Sequence, residues 1–274
     1  MDEMLLGPLT VSGFGRYDQY LGSGYAGAGA DGILKLSGNF SLFGGGSVSH
    51  RMPNYVELFW TDSSVTRTGP IQAERHYQIE AGAEVHLQDS GTLRVAYFHR
   101  TVEHPILLAP YGANFVYPGI HFLNGDRRTT NGIEASIRLR LWLLYLEGTG
   151  TYIVQREAGG TTLEEVPGLT ARGGVYFWNT LFQNHLEIKA GFRGKYASSS
   201  RGLLFNAEAL SYVQNTGSTI GMGSSVDFFL IAHIGDAYVH LMWENLTNVQ
   251  YFATPYFPVT DRTVRFGIAW EFWN

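Results

Sequence analysis

The sequence predicts an all-β fold, an antiparallel transmembrane β-barrel of about twelve long strands. Three observations lead there. Apolar and polar residues alternate with period two over many segments. Most of these segments run 11–15 residues, where soluble strands average about 5–6. Short and long connections alternate along the chain.

The strands are expected at 5–19, 25–37, 39–51, 74–88, 91–104, 129–141, 143–156, 168–179, 183–198, 223–234, 237–247 and 262–273. The fourth shows the pattern well: Tyr77, Ile79, Ala81, Ala83, Val85 and Leu87 alternate with His76, Gln78, Glu80, Gly82, Glu84 and His86. In the sixth, Ile133, Ala135, Ile137, Leu139 and Leu141 alternate with Glu134, Ser136, Arg138 and Arg140. The ninth sets Leu186, Ile188, Ala190 and Phe192 against Glu187, Lys189, Arg193 and Lys195. A tilted strand crosses hydrocarbon in about 9–11 residues, so these lengths fit a membrane wall. Short turns fall at 37–39, 88–91, 141–142, 179–184 and 234–236, and long loops at 52–73, 105–128, 157–167, 199–222 and 248–261. The connection at 21–24 is short although it belongs to the long-loop side. Twelve strands would place both chain ends on the short-turn side.

Composition agrees. Gly makes up 34 of 274 residues and aromatics 14%, while charged residues are 16% against about 25% in an average soluble domain. Cys is absent, which excludes disulfides and thiolate metal sites. The net charge of -5 argues against nucleic-acid binding through a basic surface. No stretch approaches the ~18 apolar residues of a membrane helix. The opening residues Met1 to Pro8 lack a basic, apolar leader, so an exported chain is expected to begin upstream of them. A soluble sandwich would need shorter strands, and twelve strands close round a lumen too wide for side chains to fill. Water or protein is therefore expected inside and hydrocarbon outside. The aromatics Tyr17, Tyr20, Trp60, Tyr111, Tyr117, Trp178, Trp243, Tyr251, Tyr256 and Trp273 lie near strand ends, as interface girdles would. The charges on the polar face are expected to form a salt-bridge lattice within the wall. The whole chain, 1–274, reads as a single barrel domain with no plug domain. No catalytic, cofactor or metal set emerges, and no enzyme is expected.

The last strand carries the most specific motif. Arg265, Gly267, Trp270 and Phe272 in the run RFGIAWEF resemble the C-terminal signal read by the outer-membrane assembly machinery, although that signal usually stops at the Phe. Asn245-Leu246-Thr247-Asn248, Tyr251 and Arg262 resemble the closing NLTD…Y…GR stretch of TonB-dependent receptors. Arg51, Pro53, Glu57 and Leu58, in SHRMPNYVEL, resemble that family's FRAPS…EL segment, with His50 and Met52 departing from it. Thr130-Asn131-Gly132-Ile133-Glu134 is similar to its NGVE strand opening. Order and spacing match the last twelve of the family's twenty-two strands. The resemblance implies half of a 22-stranded barrel, and a closed 12-stranded barrel is the alternative. It also implies a bacterial outer-membrane location and uptake of a siderophore, vitamin or carbohydrate type ligand. The implied partners are membrane lipid, the assembly machinery, the remaining N-terminal strands and plug, and TonB through that plug. The second reading is a self-closed channel or structural subunit without energised transport.

Overall fold

The computed structural model describes residues 2–60, 65–67, 69–111, 119–207, 210–215 and 217–272. Thirteen strands follow one another in one antiparallel ladder. They are β1 (Asp2–Leu6), β2 (Leu9–Tyr20), β3 (Ser23–Lys35), β4 (Phe40–Arg51), β5 (Glu74–His86), β6 (Gly91–Glu103) and β7 (Arg128–Leu141). The rest are β8 (Leu144–Glu157), β9 (Leu169–Leu181), β10 (Leu186–Ala197), β11 (Gly223–Ile234), β12 (Ala237–Glu244) and β13 (Thr263–Trp270).

Two expectations need correction. The first predicted strand, 5–19, is broken at Gly7-Pro8. Gly7 turns with φ +62 and Pro8 fixes the next φ, so β1 folds back on β2 with Leu6 opposite Leu9. The count becomes odd, and Asp2 lies opposite Gly13, partway up β2, instead of at the short-turn end. The second correction concerns closure. Among the described residues β1 pairs only with β2 and β13 only with β12, so the sheet is open. β1 and β13 run in the same direction and cannot pair antiparallel. The closed twelve-stranded alternative is therefore not formed. The expected last two strands also end early, at Glu244 and Trp270. The short connection on the long-loop side is real: Leu21 and Gly22, with φ of +48 and +81, make a tight hairpin turn.

Register shows which side chains share a face. Leu139, Leu146, Val175, Phe192, Phe228, Trp243 and Val264 stand opposite one another in a row across seven strands. The next row toward the short turns runs Leu141, Leu144, Phe177, Ala190, Leu230, Leu241 and Phe266. These side chains are not packed against a second layer. Phe266 is 65% exposed and Ile268 and Trp270 60%. The other face gives rows such as Glu84, Arg94, Ser136, Thr149, Arg172, Lys195 and Ser225. This polar face lines a hollow of about 550 Å³ that includes Glu84, Arg94, Arg138, Glu147, Lys195 and Asp227. The polar side is thus concave and the apolar side convex, the reverse of a soluble barrel. Along β7 the convex apolar run Ile133 to Leu141 spans ~26 Å of strand at ~3.3 Å per residue, close to the ~25 Å apolar band of outer-membrane barrels before tilt is considered.

On the concave face several rings lie flat across a glycine directly opposite. A Cβ at Gly82 would overlap the Phe43 ring, one at Gly132 the Phe98 ring, and one at Gly267 the His240 ring. The aromatic girdle is only partly as expected. Tyr17 and Trp243 are on the convex side, but Trp178 is on the concave face, donating Nε1–H to Glu187 (2.6 Å). Trp60 packs into the loops. Tyr117 and Trp273 lie outside the described residues.

Candidate functional site

At the long-loop end the sequence first builds an anchor. After β4, Asn54 caps a short helix α1 (Tyr55–Phe59) by accepting the Glu57 N–H at 2.9 Å, while the Asn54 N–H donates to the Glu57 carboxylate at 2.7 Å. This reciprocal box turns the Glu57 side chain back toward β4. Arg51, the last residue of β4, donates from Nη1 to Glu57 at 2.9 and 3.2 Å. Its Nε and Nη2 grip both oxygens of Glu74 at 2.8 and 2.9 Å, and Glu74 is its register partner on β5. Glu57 is 9% and Glu74 7% exposed, so Arg51 neutralises two buried carboxylates with a planar fork. Glu74 also accepts the Ile106 N–H at 2.6 Å and lies 2.8 Å from His76 Nε2. Pro53 offers its carbonyl to the Tyr20 hydroxyl at 2.6 Å.

The long loops gather above this anchor. Residues Val65–Arg67, Ile106–Tyr111 and Gly119–Asn124 form a three-stranded sheet, and Leu203–Asn206 pairs with Ser211–Gln214. Val65, Ile71, Ile120, Phe122 and Val213 make a buried core between them, with Leu58 and Trp60 packed against it. The described parts of the loops 52–73, 105–128 and 199–222 are therefore one cap. Sequence reasoning missed the clamp that ties the cap to the wall. Arg128 at the top of β7 grips Glu165 with two bonds of 2.9 and 3.0 Å, and Gln214 donates to the same Glu165 at 2.7 Å. No local pattern marks partners so distant in the chain. Within the cap, burial pulls the imidazole pKa of His121 below its ordinary value.

A second anchor follows β12. Asn245, 4% exposed with φ +51, donates its N–H to Asp227 at 2.9 Å. Its side chain accepts the Val249 N–H and donates to the Val249 carbonyl, both at 3.1 Å. Leu246 N–H bonds to the Val226 carbonyl, and Arg262 donates its backbone N–H to the Asn248 side chain. The Tyr251 ring fills the space over Gly223. The structure thus brings Arg51, Pro53, Glu57 and Leu58 into one cluster, and Asn245, Leu246, Tyr251 and Arg262 into another.

On β13, Arg265 faces the concave side and donates to Glu244 at 2.9 Å. Gly267 lies under His240, whereas Trp270 is on the convex face with its ring 6.2 Å from that of Phe272. The expected lattice of charges in the wall forms only in part. Arg94 pairs with Glu80 (3.3 Å) and Glu84 (3.6 Å). Arg193 instead lies against the Phe229 ring and the sulfur of Met242, and Lys189 sits over the Tyr176 ring.

An open wall with an apolar convex face, a polar concave face and a folded loop cap defines a segment of a transmembrane β-barrel. The sequence matches the family model for TonB dependent receptor-like β-barrels over residues 1–229. The chain belongs to this family of bacterial outer-membrane proteins. Among solved structures it is similar to the FrpB iron transporter from Neisseria meningitidis, at 17% identity and a TM-score of 0.70, over 97% of this chain and 43% of that one. The copper transporter OprC matches at 14% identity and a TM-score of 0.75, over 96% of this chain and 45% of OprC. BauA, the ferric preacinetobactin receptor from Acinetobacter baumannii, matches at 17% identity and a TM-score of 0.65, over 96% of this chain and 40% of that one. The chain thus spans less than half the length of these relatives. Comparison with curated proteins returns no match.

Proposed function

We propose that this chain is part of the barrel wall, together with a ligand-facing loop cap, of an outer-membrane receptor that imports a small extracellular ligand by TonB-driven transport. The ligand class is a siderophore, vitamin or carbohydrate. One observation carries this reading: three long loops fold into a single cap held at the rim of a polar, concave wall. A passive pore needs no ordered cap with its own core. The iron and copper transporters and the ferric-chelate receptor among the similar structures support an uptake role.

In this reading residues 1–274 act as one barrel domain. The cap meets the ligand, while remaining strands and a plug complete the machine and contact TonB. Arg51, Pro53, Glu57 and Leu58 set the height and tilt of the cap. Asn245, Leu246, Tyr251 and Arg262 hold the final loop against β11. The assembly machinery reads β13 through its free edge and its lipid-facing Trp270 and Phe272, with Gly267 and Arg265 on the inner side. No chemistry on the ligand is involved.

The test supplies this chain together with a plug and completing strands in a strain lacking its own iron and vitamin receptors. Growth is scored on a panel of ferric chelates, cobalamin and oligosaccharides. Growth on a panel member that disappears when TonB is deleted is expected. Equal growth without TonB, or diffusion of every small solute alike, would overturn the proposal.

A further inference from the structure

We propose that the concave wall between β7 and β10 holds an oxyanion-binding site centred on Arg172 and Lys195, which takes a carboxylate or phosphate group inside the barrel. It goes beyond the receptor reading, because it concerns the wall below the cap and not the ligand the cap meets.

The argument begins with register. Arg172 on β9 and Lys195 on β10 stand directly opposite each other. Like charges in this position oppose strand pairing. The neighbouring positions do not relieve them: Arg172 is opposite Thr149 on its other side, and Lys195 is opposite Ser225. Arg172 donates from Nε to the Thr149 hydroxyl at 3.1 Å, which leaves the rest of its guanidinium fork directed at the hollow. Arg138 and Arg193 line the same hollow of about 550 Å³.

Among the described residues none of these four cations is in an ion pair within 4.0 Å. Arg94, the fifth cation there, is already matched by Glu80 and Glu84. Arg138 and Arg193 stand directly opposite the carboxylates Glu147 and Asp227, and Glu134 lines the neighbouring stretch of wall, so the cations with no acid opposite them are Arg172 and Lys195. Ser136 and Thr149, opposite one another, add hydroxyl donors to the lining.

The setting amplifies the charge. The sheet is one layer thick with hydrocarbon behind it, so only the concave side is screened by water. The adjacent like charges of Arg172 and Lys195, backed by a low-dielectric wall, focus their field into the hollow. A guanidinium fork beside an ammonium and hydroxyls is the chemistry that grips an oxyanion. The chain as a whole is negative at -5, so this local excess of cations runs against its overall balance.

The oxyanion has two sources with the same chemistry: an acidic protein segment lying inside the barrel, or a free anionic solute. The experiment uses the full chain in detergent micelles, with inorganic phosphate, citrate and a hexaglutamate peptide as probes. Urea midpoints and calorimetric titrations are recorded for the wild type and for R172Q, K195Q and K195E. R16Q, altered at a cation of β2 already paired with Asp18, is the control.

The proposal expects each of the three variants to hold or raise the ligand-free midpoint, because a like-charge contact is removed. Each loses about tenfold or more in affinity for a probe that stabilises the wild type and R16Q. Binding by phosphate or citrate supports a free solute as the source, and binding by the peptide alone supports an acidic segment. A wild type that none of the probes stabilises overturns the site. So does an R172Q or K195Q variant that is less stable without ligand and binds the probes unchanged, since the pair would then be structural.

Discussion

Replacing Arg51 with Met tests how the cap is held. The substitution keeps most of the stem but removes the fork that meets Glu57 and Glu74. Both acids are nearly buried, so they are left as unpaired charges. Removing one partner of a fully buried pair costs about 3–5 kcal/mol, whereas an exposed pair is worth about 0–1 kcal/mol. The Arg51 side chain is 40% exposed, which places the loss between these limits, about 2 kcal/mol. Since about 1.4 kcal/mol is a factor of ten, local opening of the cap rises about thirtyfold. Hydrogen exchange in micelles reads this at Ile106 and the other backbone amides of the cap, while amides in β9 to β12 keep their protection. Adding Glu57→Gln and Glu74→Gln to the Met variant restores much of the protection, because the stranded charges are gone. Unchanged cap exchange in the single variant, or equal loosening of the whole sheet, would show that Arg51 does not anchor the cap.

Other perturbations have equally definite outcomes. Gly267→Val drives a side chain into the His240 ring and should slow insertion into membranes, with His240→Ala restoring part of the rate; heat-modifiable mobility on gels follows it. Phe272→Ala combined with Trp270→Ala should abolish membrane assembly, and normal insertion of that pair would make the β13 motif incidental. Asn245→Ala removes the side-chain bonds to Val249 and leaves a positive φ on a residue with no means to favour it, at about 2 kcal/mol, read as faster exchange at Val249 and Val259. The pKa of His121 is lowered by burial in the cap, so below the ordinary value of 6.5 the opened cap takes up a proton that the closed cap refuses. Cap protection should therefore fall as pH drops through that value and level off below the lowered one. His121→Gln should remove this slope.

The long strands were readable because a wall with lipid on one side and water on the other imposes a strict two-residue period. Ile133 to Leu141 shows it in the sequence, and the register confirms it. The break at Gly7-Pro8 was missed because alternation carries on through it, so periodicity saw one strand where the backbone reverses. The anchors were found from short motifs whose partners lie close in sequence, as with Arg51 and Glu57. The Arg128–Glu165 clamp was not, because its partners are 37 residues apart and Glu165 belongs to a segment with no period. The cap escaped prediction for the same reason: its core of Val65, Ile120 and Val213 comes from three separate loops. The charged lattice was overestimated, since alternation places Arg172 and Lys195 on one face but cannot show that they meet each other and not an acid.

The rings laid over glycines have a consequence for how such a wall is put together. Phe43, Phe98 and His240 each find an empty space directly opposite, at Gly82, Gly132 and Gly267. If a strand slid by two positions its faces would still match and most ladder bonds would re-form. The ring would then meet Glu80 or Glu84, Thr130 or Glu134, and Arg265 or Ala269. Hydrophobic patterning cannot detect that error, but these sockets can. They act as keyways that let each arriving hairpin seat in a single alignment before the next one is added.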